Sequence, residues 1–188
     1  MGTTSKRLNL KLAFRIVNVF TRDGAALSGN PLCVFEDARG LDAGQMQALA
    51  QQMNLSETTF IFPSNRVDAV VRIYTPAFEM PFAGHPTLGT AHVVHSLGAM
   101  SNMTLEMHAG DIAVQSTAPG QWQLRTAGGL IATAPAASTA ELAAMLQLPT
   151  TAVDARASWI NTGSDQLIIP VASPADVAAA AAVPELLA

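Results

Sequence analysis

One cysteine, Cys33, stands in 188 residues. A disulfide within the chain is excluded, and a reducing cytoplasm is the expected setting. Basic charge is also short. Ten Lys and Arg against fourteen Asp and Glu leave a formal charge of −4, with a pI near 5.4. Nucleic acid is not an expected partner, because phosphate binding needs a basic stripe. Lys6, Arg7, Lys11 and Arg15 cluster near the start, but around an apolar run they read as a solvated terminus. No apolar run reaches spanning length, the start lacks the apolar core and cleavage site of a secretory signal, and the alanines of 178–182 are too few to cross a bilayer. No membrane association is expected. Neither GxGxxG, P-loop nor HExxH patterns occur, and Gly128-Gly129 reads as a turn. His92 and His95 share a helix but have no carboxylate at ligand spacing, so no metal is expected.

What the chain does have is apolar: 49% of residues, with 13% charged. Such a composition folds into a core, at a length suited to one domain or one and a half. Residues 14–20 read as a buried strand and 32–35 as another, separated by the turn-rich stretch through Ser28-Gly29-Asn30-Pro31. Asp42, with Gln45 three residues on, opens a helix whose Met46, Leu49, Ala50 and Met53 fall on one face, ending near Asn54. Strands are expected over 58–62 and 69–74. Pro86 is placed to open a second helix and Gly98 to end it. Met103, Leu105 and Met107 then alternate with polar residues through His108, as do Trp122 and Leu124, with turns at Gly110-Asp111 and Pro119-Gly120. Residues 127–139 read as a linker. Beyond it come a helix from Ser138, strands over 158–161 and 166–171, and a helix from Ser173-Pro174. The expected organisation is an α+β unit over 10–126 and a second, partial unit over 138–188.

Two junctions carry residues suited to chemistry. Glu57, in Asn54-Leu55-Ser56-Glu57-Thr58-Thr59-Phe60, sits where a helix gives way to a strand. Partial burial there would disfavour the carboxylate, as a proton shuttle working near neutral pH requires; the alternative is an exposed loop glutamate. His85, in Pro81-Phe82-Ala83-Gly84-His85-Pro86-Thr87-Leu88, lies at a helix start. Unpaired amides, expected around Thr87 and Leu88, could seat a substrate carboxylate, with Gly84 allowing close approach. His85 would then bond substrate or relay a proton; the other reading is a simple helix cap. Cys33, between Leu32 and Val34, reads as a small buried hydrophobe.

The ordered strings Ser28-Gly29-Asn30-Pro31, then 54–60, then Gly84-His85-Pro86-Thr87-Leu88-Gly89-Thr90-Ala91 resemble the PhzF-like family of phenazine-biosynthesis isomerases. The resemblance implies the diaminopimelate-epimerase-like fold: two similar lobes, each a curved mixed sheet around a long central helix, with a cleft between them. It implies Glu57 as general acid/base, His85 lining the same pocket, Asn30 near the substrate and Gly84 helping to hold the substrate carboxylate. The implied reaction is a cofactor-free proton shift on a small amino or hydroxy acid, and the implied assembly a homodimer. The related epimerases use two cysteines, which this chain lacks at both places. The family's second lobe adds an aspartate and glycine- and serine-bearing loops from further along the chain. No counterpart stands before Ala188, so the chain is expected to be truncated. A non-catalytic protein that binds a small acid or another chain is the alternative expectation.

Overall fold

In the computed structural model of the protein, residues 11–126, 131–161 and 165–186 are described. Lys6, Arg7 and the Gly128-Gly129 turn lie outside them. The chain divides into two compact units, Met1–Gly128 and Gly129–Ala188.

The first unit is built on one mixed sheet. Strands β1 (Phe14–Val19), β2 (Asn30–Phe35), β3 (Glu57–Phe62), β4 (Ala69–Tyr74), β6 (Asn102–Met107), β7 (Gly110–Ala118) and β8 (Gln121–Arg125) lie side by side in the order 1-2-3-4-6-7-8, and β5 (Glu79–Met80) pairs with β4. Helix α1 (Ala43–Met53) connects the parallel pair β2 and β3, and α2 (Gly84–Gly98) connects the parallel pair β4 and β6. Both crossovers step the same way across the sheet, but β4 runs antiparallel to β3. Right-handed connections must therefore place the two helices on opposite faces.

The buried side chains agree. Cys33, Phe35, Phe60 and Tyr74 pack with Met46 and Ala50 of α1. Leu32, Val34, Ile61, Val71 and Ile73 pack with Ala91, Val93 and Val94 of α2. Being covered on both sides, β2 reads as an unbroken apolar run, Leu32-Cys33-Val34-Phe35, without alternation. Phe35 stacks on Phe60, its ladder partner, at 4.9 Å, and each fully buried ring of this size contributes about 1.5–3 kcal/mol.

Helix α2 touches β1, β2 and β3 near one end of the sheet and β8 at the other. Seven strands spaced about 4.8 Å apart would span nearly 30 Å if flat, far more than one helix diameter, so the sheet curls around α2. Gly89 permits the close seat: a Cβ there would stand 2.6 Å from Leu32 Cδ2 and 2.9 Å from Val19 Cγ2.

Several local expectations are corrected. Helix α2 starts at Gly84, because Pro86 occupies its third position and not its first. The helix ends at Gly98 as expected, and the left-handed residue that follows is Ala99, at φ 56°. Strand β7 follows the turn at His108–Ala109, with Ile112 and Val114 buried in the alternating pattern of a half-covered strand. His108 thus sits in that turn, beyond the end of β6.

In the second unit, β9 (Ile131–Thr133), β10 (Ser158–Asn161) and β11 (Asp165–Ile168) form an antiparallel sheet in the order 11-10-9. Strand β9 arises inside the stretch read as a linker, because its three residues pair with Trp159–Asn161. Helices α3 (Thr139–Met145) and α4 (Pro174–Ala179) start at Ser138 and Ser173, each capped by the serine hydroxyl. Leu142 and Ala143 of α3 pack against Val153 and Ala157.

Candidate active site

Strand alternation and chain direction bring the candidate residues together. In β2 the residues that face α2 are Leu32 and Val34, so Asn30, two positions earlier, shares their face. In β3 Ile61 faces α2, and Thr59 receives a hydrogen bond from Thr90 of that helix at 2.8 Å, so Glu57 points to the same side. The register pairs Leu32 with Glu57, which sets the starts of β2 and β3 next to each other. Because β4 is antiparallel to β3, with Tyr74 opposite Thr58, the chain leaves β4 at that same end. From there, through β5, it enters α2 at Gly84-His85.

Glu57 and His85 meet. Glu57 Oε2 lies 3.4 Å from His85 Nε2, and the two side chains are only 16% and 9% exposed. That distance is within ion-pair reach, yet neither atom completes a hydrogen bond among the described residues, although both are buried. A buried polar atom without a partner costs about 1–3 kcal/mol, and here two of them stand 3.4 Å apart.

On the far side of the ring, Asn30 Nδ2 stands 3.4 Å from His85 Nδ1, and Ser56 Oγ donates to Asn30 Oδ1 at 3.1 Å. Ser56 was not singled out in the sequence. Its one local sign is a hydroxyl at the helix–strand junction directly before Glu57.

Burial pushes the His85 imidazole below the ordinary histidine value of 6.5, while the Glu57 carboxylate and the Pro31 carbonyl act in the opposite direction. Burial prevails over both. His85 is then largely neutral near pH 7, able to donate from one nitrogen and accept at the other.

The start of α2 completes the arrangement. Its first intrahelical bond runs from Thr87 N–H to the Ala83 carbonyl at 3.2 Å, and no side chain caps the helix. Pro86 has no N–H, so the amides that precede this bond are those of Gly84 and His85. This corrects the expectation of free amides around Thr87 and Leu88. The Thr87 side chain is likewise turned away: fully buried, it donates to the Ala83 carbonyl at 2.7 Å and lies 3.5 Å from Met107 Sδ. Gly84 is exposed, and nothing lies within 4 Å of where its Cβ would be. The two amides thus start the helix without an intrahelical partner next to Glu57 and the His85 ring, a setting that suits a carboxylate.

The remaining candidates are structural. Cys33 is fully buried, and burial pushes its thiol up to about 11, unsuited to a nucleophile. His95 Nδ1 bonds the Met100 carbonyl at 2.7 Å, and its ring meets Trp122 edge to face. Two hollows of the lobe, of about 800 and 480 Å³, are lined by other residues.

Known proteins share the family and the fold. The family model described as phenazine biosynthesis-like protein matches residues 17–186. An uncharacterized isomerase of Pasteurella multocida is 34% identical over 180 residues, covering 86% of this chain and 55% of that protein. Trans-2,3-dihydro-3-hydroxyanthranilate isomerase of Pseudomonas chlororaphis is 48% identical over 101 residues, 53% of this chain and 36% of its own length. A solved structure of a predicted epimerase from Pseudomonas aeruginosa superposes with a TM-score of 0.79 at 28% identity, covering 94% of this chain and 65% of that one. The chain spans about half, or less, of the length of these curated relatives. By the extent of the family match and the shared α+β fold, it belongs to the phenazine biosynthesis-like protein family.

Proposed function

We propose that this lobe provides the proton-transfer half of an isomerase acting on a small amino or hydroxy acid that bears a carboxylate. The substrate carboxylate docks on the amides of Gly84 and His85, where the dipole of α2 offsets its charge. Glu57, as the base, takes a proton from a substrate carbon. The electron pair left behind shifts the double bond, and the proton returns from Glu57 to the carbon at the far end of the system. His85 donates from its ring N–H to substrate or to Glu57, which steadies the charge that develops. No step requires a cofactor.

The observation that carries this reading is the pair of buried, unpartnered atoms, Glu57 Oε2 and His85 Nε2, 3.4 Å apart beside an uncapped helix start. The name of the Pseudomonas chlororaphis relative, whose match covers about half of this chain, supplies the probe: trans-2,3-dihydro-3-hydroxyanthranilate. Incubated with it in deuterated water, the protein should place deuterium on substrate carbon, and Glu57→Gln should lower that rate by about 10²–10⁴-fold. Undiminished exchange in the variant removes Glu57 from the role. Saturable binding with no exchange in the unaltered protein favours instead a small-acid-binding protein.

A further inference from the structure

We infer that the ion-paired cluster of Arg72, Tyr74 and Glu79 is a positioning device for the start of α2, setting where Gly84 and His85 stand. The chain reaches that start through β5, which has only two residues, Glu79 and Met80. They pair with Tyr74 and Ile73 at the end of β4. So short a ladder holds a strand weakly by its backbone alone. Pro81, Phe82 and Ala83 then separate β5 from Gly84, so a shift of β5 is passed on to the site.

Side chains supply what the ladder lacks. Glu79 is the ladder partner of Tyr74, and Arg72 shares a face of β4 with Tyr74, two positions back. Arg72 Nε donates to Glu79 Oε1 at 2.6 Å and its Nη2 to Oε2 at 2.5 Å. The Tyr74 hydroxyl donates to Oε2 as well, at 3.0 Å, and the Arg72 guanidinium lies 5.3 Å from the centre of the Tyr74 ring. The two charged side chains are only 25% and 21% exposed, so this is not a solvated surface pair. Burial alone would raise the Glu79 carboxyl, but the bonds from Arg72 and Tyr74 outweigh it and hold the group below its ordinary value.

The cluster sits where β4 changes neighbours. Strand β3 lines one edge of β4 from Val70 to Tyr74, so β6, at Ala69 and Val70, and β5, at Ile73 and Tyr74, share the other. Arg72 falls between them. The turn after β6 adds two ties: Ala109 N–H donates to the Pro81 carbonyl at 3.1 Å, and His108 Nδ1 stands 3.8 Å from Glu79 Oε1. Phe82 is buried in the core on the α2 side, but apolar burial has no direction, whereas a two-pronged charged bond fixes orientation. Tyr74 packs on the α1 face of the sheet while Glu57 points to the α2 face, so the cluster acts through the link it holds. Arg72, Tyr74 and Glu79 are therefore positioning residues. Their effect on proton transfer rests on the isomerase reading above; the placement of Gly84 and His85 does not, and it is measured without substrate.

The test is a ¹H–¹⁵N spectrum of the ¹⁵N-labelled full chain, with backbone amides assigned, beside deuterium uptake by trans-2,3-dihydro-3-hydroxyanthranilate. Glu79→Gln keeps the size of the side chain and removes its charge. It should move the amide signals of Gly84 and His85 and cut deuterium uptake at saturating probe by about 10- to 100-fold, as expected of a misplaced site. Arg66→Gln, which removes exposed ion pairs with Asp111 and Glu106 on the same sheet, should leave both readouts unchanged. Arg72→Lys, which keeps the charge and loses the two-pronged bond, is the second route should Glu79→Gln fail to fold, and should move the same two amides. A folded Glu79→Gln or Arg72→Lys protein whose Gly84 and His85 signals stay in place overturns the positioning role, even if those of Glu79 and Met80 move. Undiminished deuterium uptake in that protein, or equal shifts in Arg66→Gln, would do the same. If the two amides move as expected while the unaltered protein places no deuterium on the probe, the positioning role stands and the isomerase reading falls.

Discussion

Helices α1 and α2 lie on opposite faces of one sheet, and they begin in opposite ways. At the start of α1, Asp42 accepts from Gln45 N–H at 2.8 Å, and Gln45 returns the bond to Asp42 N–H at 2.9 Å. At the start of α2, Ala83 offers no side-chain acceptor, and the amides of Gly84 and His85 have no intrahelical partner. One end is closed by its own side chains and serves the fold. The other is left unfinished beside two buried polar atoms that have no partner. Open ends cost stability, and the proposed ligand seat uses the one left open next to a carboxylate and an imidazole.

The contrast can be attacked at three points. The largest effect is expected at Gly89, where α2 is pressed onto the sheet. Gly89→Ala puts a methyl group 2.6 Å from Leu32 and 2.9 Å from Val19, and should cost about 1–3 kcal/mol in urea unfolding. A neutral outcome would mean that α2 is not seated as closely as described.

Next come the two helix starts themselves. Asp42→Ala removes the closed end and should cost about 1 kcal/mol while leaving ligand binding untouched. Gly84→Ala should do the reverse. Its methyl group meets nothing in the fold, so stability should hold or rise by about 0.4–1 kcal/mol, yet it enters the space in front of the amides. The thermal shift induced by a small carboxylate should then shrink or vanish. A Gly84→Ala protein that binds as well as the original would remove the anion seat.

The smallest effect concerns pH. Burial holds His85 in the folded state below the ordinary value of 6.5, so the unfolded chain takes up the proton first as the solution is acidified. The stability associated with neutral His85 is whole above pH 6.5 and is lost as pH falls below it. Comparing unfolding at pH 7.5 and 5.5, the drop should be smaller in His85→Gln than in the unaltered protein. Equal drops would mean that His85 is not held neutral.

Most of this contrast could be read from the sequence, and the parts that could not share one cause. The Asp42-x-x-Gln45 box is local chemistry within one turn, and it appears in the structure as written. The positions of Glu57 and His85 at element junctions were visible for the same reason. The true start of α2 was not, because a proline suits several positions in a first turn, and only the bond from Thr87 to Ala83 decides among them. Strand β7 was passed over because the turn before it draws attention away from Ile112 and Val114, whose alternation is plain once β6 lies alongside. The Ser56–Asn30 bond spans 26 residues and exists only because β2 and β3 pair in parallel across α1. Non-local pairing of that kind leaves no periodic trace in a sequence.

That parallel pairing has a further consequence. Side chains on a strand change face at every step, so sliding β3 by one residue against β2 would swing the acid out of the site and bring Ser56 or Thr58 into its place. The same slip would turn Phe60 out from under α1 and drive Thr59 into its room. Oily neighbours with no part in any reaction thereby act as the proofreaders of where Glu57 sits.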